Sequence, residues 1–200
     1  MWKTGRGNAD FSVRLVRSTM GESFNSANST DLFVWSKIAT PKVNCFAWRA
    51  ISGGIPTAAA LAVRNVCFGD GMCILCGIEA ETTDHLLVSC TFAKSVWWLI
   101  CVWLQVPIPE TFVSVTQLLS FCKNLHVGER RKRVVYAIFL LTMWTIWIAR
   151  NDKIFNKKLS TAISVLDQVK ESSYWWVVKR SRISNLSLEN WSGDAALEVI

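Results

Sequence analysis

Cys73 and Cys76 stand two residues apart, eight further residues lead to His85, and four more lead to Cys90. Thiolates and an imidazole at such spacing are the donors of a tetrahedral zinc site, and a Cys pair of this kind bends the backbone so that both sulfurs face one point. Gly77, directly after the pair, permits the turn that aims backbone N–H groups at sulfur. His85 and Cys90 supply the other two donors from the start and end of a short helix, with Thr83 or Asp84 as its N-cap and an apolar stretch between. Four N and S donors leave no position for a catalytic water, so the expected cofactor is one structural Zn2+. Cys67, six residues before Cys73, is an alternative ligand, and a metal-free cluster of buried thiols around a hydrogen-bonded histidine is the plainer alternative. Cys45, Cys67, Cys101 and Cys122 otherwise read as core residues.

The second feature with chemical content is the basic run Arg130, Arg131, Lys132 and Arg133, a candidate nucleic-acid contact, although such a run is more often a solvated helix end. Charge is unevenly spread. Residues 1–64 hold eight basic and three acidic residues (+5), residues 65–110 one and five (−4), and residues 111–200 thirteen and seven (+6). The metal segment is therefore the acidic part, and attraction to phosphate must come from its flanks. Cys122 and His126 fall four apart and raise a thiol–imidazole nucleophile pair, but a histidine beside Val127 and Gly128 reads better as a helix C-terminal cap.

The elements that must position these groups are mainly helical. Phe11, Val13 and Leu15 alternate with polar residues as a short strand does, and Gly21 to Thr30 has loop composition. From Asp31 to Ala50 we expect a short helix, a break at Pro41, then a second helix ended by Gly53 and Gly54. Pro56 and Thr57 open another helix through Arg64. Further helices are expected at Phe92 to Leu104, Phe112 to Leu125, Glu129 to Lys153 and Thr161 to Lys179, with a polar tail from Ser181. Pro107 and Pro109 mark the best boundary. The expected organisation is thus residues 1–30 as N-terminal strand and loop, 31–106 as a module of short helices with a small zinc knuckle, 107–180 as a helical C-terminal lobe, and 181–200 as the tail.

Hydrophobic residues make up 51% of the chain, and eleven Trp and ten Phe imply an aromatic core rather than a disordered polymer. Val134 to Ala149 is sixteen residues without a charge, short of the roughly 20 that cross hydrocarbon. A buried core helix is expected there and a membrane is not, a tilted or interfacial helix being the alternative. An odd number of Cys, seven, and an N-terminus without an apolar run argue against disulfides and secretion, and for a nuclear or cytoplasmic protein.

Taken together, Trp35, Pro41-Lys42-Val43, Phe46, Trp48-Arg49, Pro56-Thr57, Leu61, Arg64, Cys73, Cys76, His85-Leu86-Leu87, Cys90 and Trp97 resemble the zinc-binding domain that follows the polymerase in plant non-LTR retrotransposon reverse transcriptases. FSVR at Phe11 to Arg14 is similar to the strand preceding that module, and Ile146 to Phe155 (IWIARNDKIF) to a Trp-x-x-Arg-Asn segment found downstream of it. Gly53 and Gly54 depart from the longer polar residues usual in the family. The resemblance implies a non-catalytic zinc module that helps a retroelement polymerase handle RNA or DNA, without a small-molecule substrate. No adjacent acidic pair of the kind a polymerase uses to hold metal is present. The alternative function is an orphaned retroelement fragment acting only as a structural or protein-interaction domain.

Overall fold

The uncharged stretch from Val134 to Ala149 lies in the middle of a 27-residue helix and is covered on nearly every side. The computed structural model describes residues 33–67, 69–108, 113–181 and 186–193; the expected strand at Phe11 to Leu15 and the loop at Gly21 to Thr30 lie outside them. In chain order the helices are α1 (Pro41–Ile51), α2 (Ala58–Ala62), a π-helical turn (His85–Ser89), α3 (Thr91–Trp103), α4 (Val115–Lys123), α5 (Glu129–Phe155), α6 (Ala162–Arg180) and α7 (Leu188–Ser192). No strand occurs among the described residues, only an isolated antiparallel bridge between Met72 and Ala80.

Helix α5 is the axis of the core: α1, α4, α6 and the π-helical turn all pack on it, and α3 packs on α6. Its length and composition would suffice to cross a membrane, but 83% of its most apolar window is buried within the protein. The two hydroxyls on its buried face are satisfied locally. Thr142 donates to the Ile138 carbonyl and Thr145 to that of Leu141, both at 2.9 Å, so neither leaves an orphaned polar group in an apolar environment. Trp97 stacks obliquely on Phe139 of α5 at 4.9 Å between ring centres, and Phe46 of α1 meets Trp144 and Trp147.

Several expectations are corrected. Pro41 does not interrupt two helices; it opens one, at a position where its missing N–H costs nothing. The expected helix before it is an irregular segment tied down by Asn44, whose side chain accepts from Ser36 N–H and donates to the Ser36, Ala39 and Thr40 carbonyls. These bonds offer the backbone a non-helical alternative. The polar tail contains α7, capped by Ser187, and buries Trp191 completely. Trp191 Nε1 donates to the Lys170 carbonyl and to Ser173 Oγ, and its ring meets Trp103 edge-on at 5.5 Å. Cys45 and Cys67, expected inside, are exposed, while Cys101 and Cys122 are buried.

A single hydrophobic core runs through residues on both sides of Pro107, from Ala39 and Val43 to Val177 and Trp191. A buried polar tie also crosses that point. Arg150 of α5 grips Glu81 of the metal segment through two bonds, NH2 to Oε1 at 2.6 Å and Nε to Oε2 at 3.2 Å, with both side chains buried. Glu81 Oε1 also accepts the Ala58 N–H at the start of α2 at 2.9 Å, and the Arg150 guanidinium lies 4.9 Å from the Trp147 ring centre.

Candidate metal centre

The Cys73–Cys76 turn is built by short backbone bonds. Gly77 N–H donates to the Cys73 carbonyl at 2.7 Å with Gly77 at φ 69°, a conformation that favours glycine. Cys73 N–H donates to the Glu79 carbonyl and Glu81 N–H to that of Gly71, folding the segment into a miniature hairpin. The N–H groups of Leu75 and Cys76 point back at Cys73 sulfur, favouring its thiolate.

His85 and Cys90 come from the π-helical turn. In an α-helix at 100° per residue, positions five apart point about 140° away from each other. Here Cys90 N–H bonds the His85 carbonyl at 2.7 Å, an i to i+5 closure that brings the two onto one side. This differs from the short helix expected. Its start is capped not by the Thr83 or Asp84 side chain but by Thr82 Oγ1, which accepts from His85 N–H at 3.1 Å, while Asp84 Oδ1 accepts from Val115 N–H of α4. The Leu87 carbonyl accepts from Trp97 Nε1 at 2.8 Å.

The donor atoms of Cys73, Cys76, His85 and Cys90 all lie within 4.8 Å of one another. Cys73 and Cys90 sulfurs are 3.9 Å apart, and Cys76 Sγ is 3.2 Å from His85 Nε2. Zinc–sulfur bonds of 2.3 Å at tetrahedral angles require sulfurs about 3.8 Å apart, so the cluster has the right size for one ion. Cys67 takes no part in the group. Between Cys73 and Cys90 a shared hydrogen bond pushes the Cys73 thiol up and holds the Cys90 thiol down, the latter helped by the N–H groups of Ala93 and Phe92 at the start of α3.

Sequence reasoning missed the outer partner. Glu79 Oε2 lies 3.0 Å from His85 Nδ1, a partner for the Nδ1–H tautomer, in which the Nε2 lone pair faces the cluster. The signal was present as a carboxylate inside the ligand loop, but the loop's path was needed to aim it.

Residues 11–97 match the family described as zinc-binding in reverse transcriptase. All four donors lie inside the matched span. No curated protein and no solved structure matches the chain. The segment that matches this family therefore holds a Cys3His site that fits one zinc, and the matched residues contain Glu81, whose partner Arg150 lies outside them.

The basic run is divided in its roles. Arg130 and Arg133 are exposed, whereas Arg131 NH2 donates to the Leu104 carbonyl at 3.2 Å, capping the end of α3, and Lys132 pairs with Glu129. Cys122 is fully buried and its thiol is pushed well up by burial, while His126 is exposed beyond the end of α4; the two do not form a nucleophile pair.

Proposed function

We propose that the chain is a non-catalytic structural zinc module derived from a plant non-LTR retroelement reverse transcriptase, and that its basic flanks assist in holding RNA or DNA for a polymerase. The observation that carries this reading is the closed Cys3His donor set with its Glu79 brace, inside the span that matches the reverse-transcriptase family. When bound there, zinc contributes folding free energy and offers no open position for a substrate.

Three thiolates and a neutral histidine leave the centre at net −1, with Asp70, Glu79 and Asp84 nearby, so phosphate is repelled from the knuckle and drawn to the flanks. Arg130 and Arg133 are the members of the basic run with exposed side chains, and binding through them reads backbone rather than sequence. The alternative, a fragment that serves only in protein interaction, draws on Val63, Ile74 and Ile78, apolar side chains exposed on and beside the metal segment. Elemental analysis of protein purified without added metal tests the first part, with one zinc per chain expected and a folded, zinc-free protein refuting it. Retention on a nucleic-acid column that falls steeply with salt supports the second part; no retention at low salt leaves the interaction reading.

A further inference from the structure

Lys42 and Arg49 belong to the sequence pattern, yet neither the zinc site nor the core uses them. Both are exposed on α1, seven residues or about 10 Å apart on one helix face. They stand at the rim of a cleft of about 380 Å3 between α1 and α5, floored by Phe46, Ile55, Trp144 and Trp147, with no acidic residue in its lining. Arg49 NH2 donates to the Gly54 carbonyl at 2.8 Å, which fixes the guanidinium at the rim. Trp144 is only half-buried, and Phe46 braces it edge-on at 5.3 Å. The Lys42 ammonium lies 4.7 Å from the Trp144 ring centre.

A second cleft of about 280 Å3 between α1, α5 and α6 shares Lys42 and Trp144 with the first, so the two meet at this pair and make a groove with Trp144 at its middle. Thr40, Gln168 and Ser172 offer hydrogen-bonding groups along this second part, and Glu171 is its one carboxylate. A rigid aromatic plane flanked by two cations, in a groove with uncharged donors and acceptors, is the arrangement that holds an unpaired base and its phosphates. A duplex keeps its base faces stacked on each other and cannot offer them to the ring.

We propose that this groove binds single-stranded nucleic acid, one base stacking on Trp144 while Lys42 and Arg49 meet the flanking phosphates. The proposal rests on the nucleic-acid reading above and gives it a second, strand-selective site. In the bound form the Lys42 ammonium leaves the ring for a phosphate oxygen, vacating the face that the base takes.

The test is fluorescence anisotropy of a labelled single-stranded oligonucleotide with the full zinc-loaded chain at low salt, each variant being checked for zinc content. Trp144→Leu is expected to weaken binding roughly five- to a hundred-fold, the range spanned by loss of one base–aromatic stack, whereas Trp144→Phe keeps most of the affinity. The pair Lys42→Gln and Arg49→Gln should flatten the salt slope by about 1.4, two single-strand phosphates' worth. A duplex of the same sequence should be indifferent to Trp144→Leu. If Trp144→Leu loses its zinc, the surface pair decides by itself. Groove variants that bind as the parent does, while Arg130→Gln with Arg133→Gln abolishes binding, overturn the groove and spare the broader reading. Absence of any binding by the parent chain at low salt overturns both.

Discussion

Arg150→Met should destabilise the protein by about 3–5 kcal/mol, the cost of leaving a buried charge without its partner. The structure places the figure in that range rather than near the 0–1 kcal/mol of a surface pair, because both side chains are buried and the contact is a two-bond fork at 2.6 and 3.2 Å. Glu81→Gln should cost a similar amount by stranding the guanidinium, although the amide oxygen can still accept from Ala58 N–H. The double variant replaces two buried charges by uncharged groups and should regain most of the loss, so the two effects are far from additive. Urea denaturation with zinc held in excess, followed by tryptophan fluorescence, measures all three. Losses below about 1 kcal/mol for Arg150→Met, or a double variant whose loss equals the sum of the single ones, would refute the reading of this pair as a strong, coupled tie between metal segment and helical core.

The remaining predictions follow from single contacts. Glu79→Gln should lower zinc affinity about ten-fold in a chelator competition, the low end of the range for an outer partner because Glu79 is largely exposed; unchanged affinity would show that His85 needs no brace. Cys90→Ser should abolish stoichiometric zinc binding and, since the core is continuous, lower the unfolding midpoint of the whole protein rather than of one segment. Trp191→Ala should cost about 3–5 kcal/mol in the same denaturation assay, as expected for a fully buried Trp. Burial pushes the Tyr136 hydroxyl up to about 12 from an ordinary 10, so the native state holds that proton longer than the unfolded chain. Its stabilising effect is complete below pH 10 and is lost as pH rises through 12; Tyr136→Phe should make stability fall less steeply across that window.

The zinc ligands were legible because their spacing is local chemistry, and the helices from α3 to α6 because long apolar runs leave few other options. What escaped was set by tertiary contacts. Glu81 reads in sequence as one more surface acid in an acidic stretch, and only the fold reveals its partner 69 residues away. The Trp-x-x-Arg-Asn echo was the visible trace of that partner without its meaning. The polar tail concealed α7 because one Trp, fully buried, suffices to dock it. Pro41 was misread because proline both ends and begins helices, and the distinction lay in Asn44, whose side chain holds the preceding segment in place. Arg131 was grouped with its neighbours by charge, whereas its guanidinium serves the end of α3.

The Glu81–Arg150 fork also orders events during synthesis. All four donors from Cys73 to Cys90 are synthesised before Arg150, which emerges 60 residues after Cys90. At about 5–20 residues per second that interval is roughly 3 to 12 seconds. Through it, the Glu81 carboxylate is solvated and the apolar backs of the π-helical turn and α3 have no α5 to cover them. A knuckle that gathered its metal in that interval would do so before it could dock, and the synthesis of α5, with Arg150, would then join it to the core.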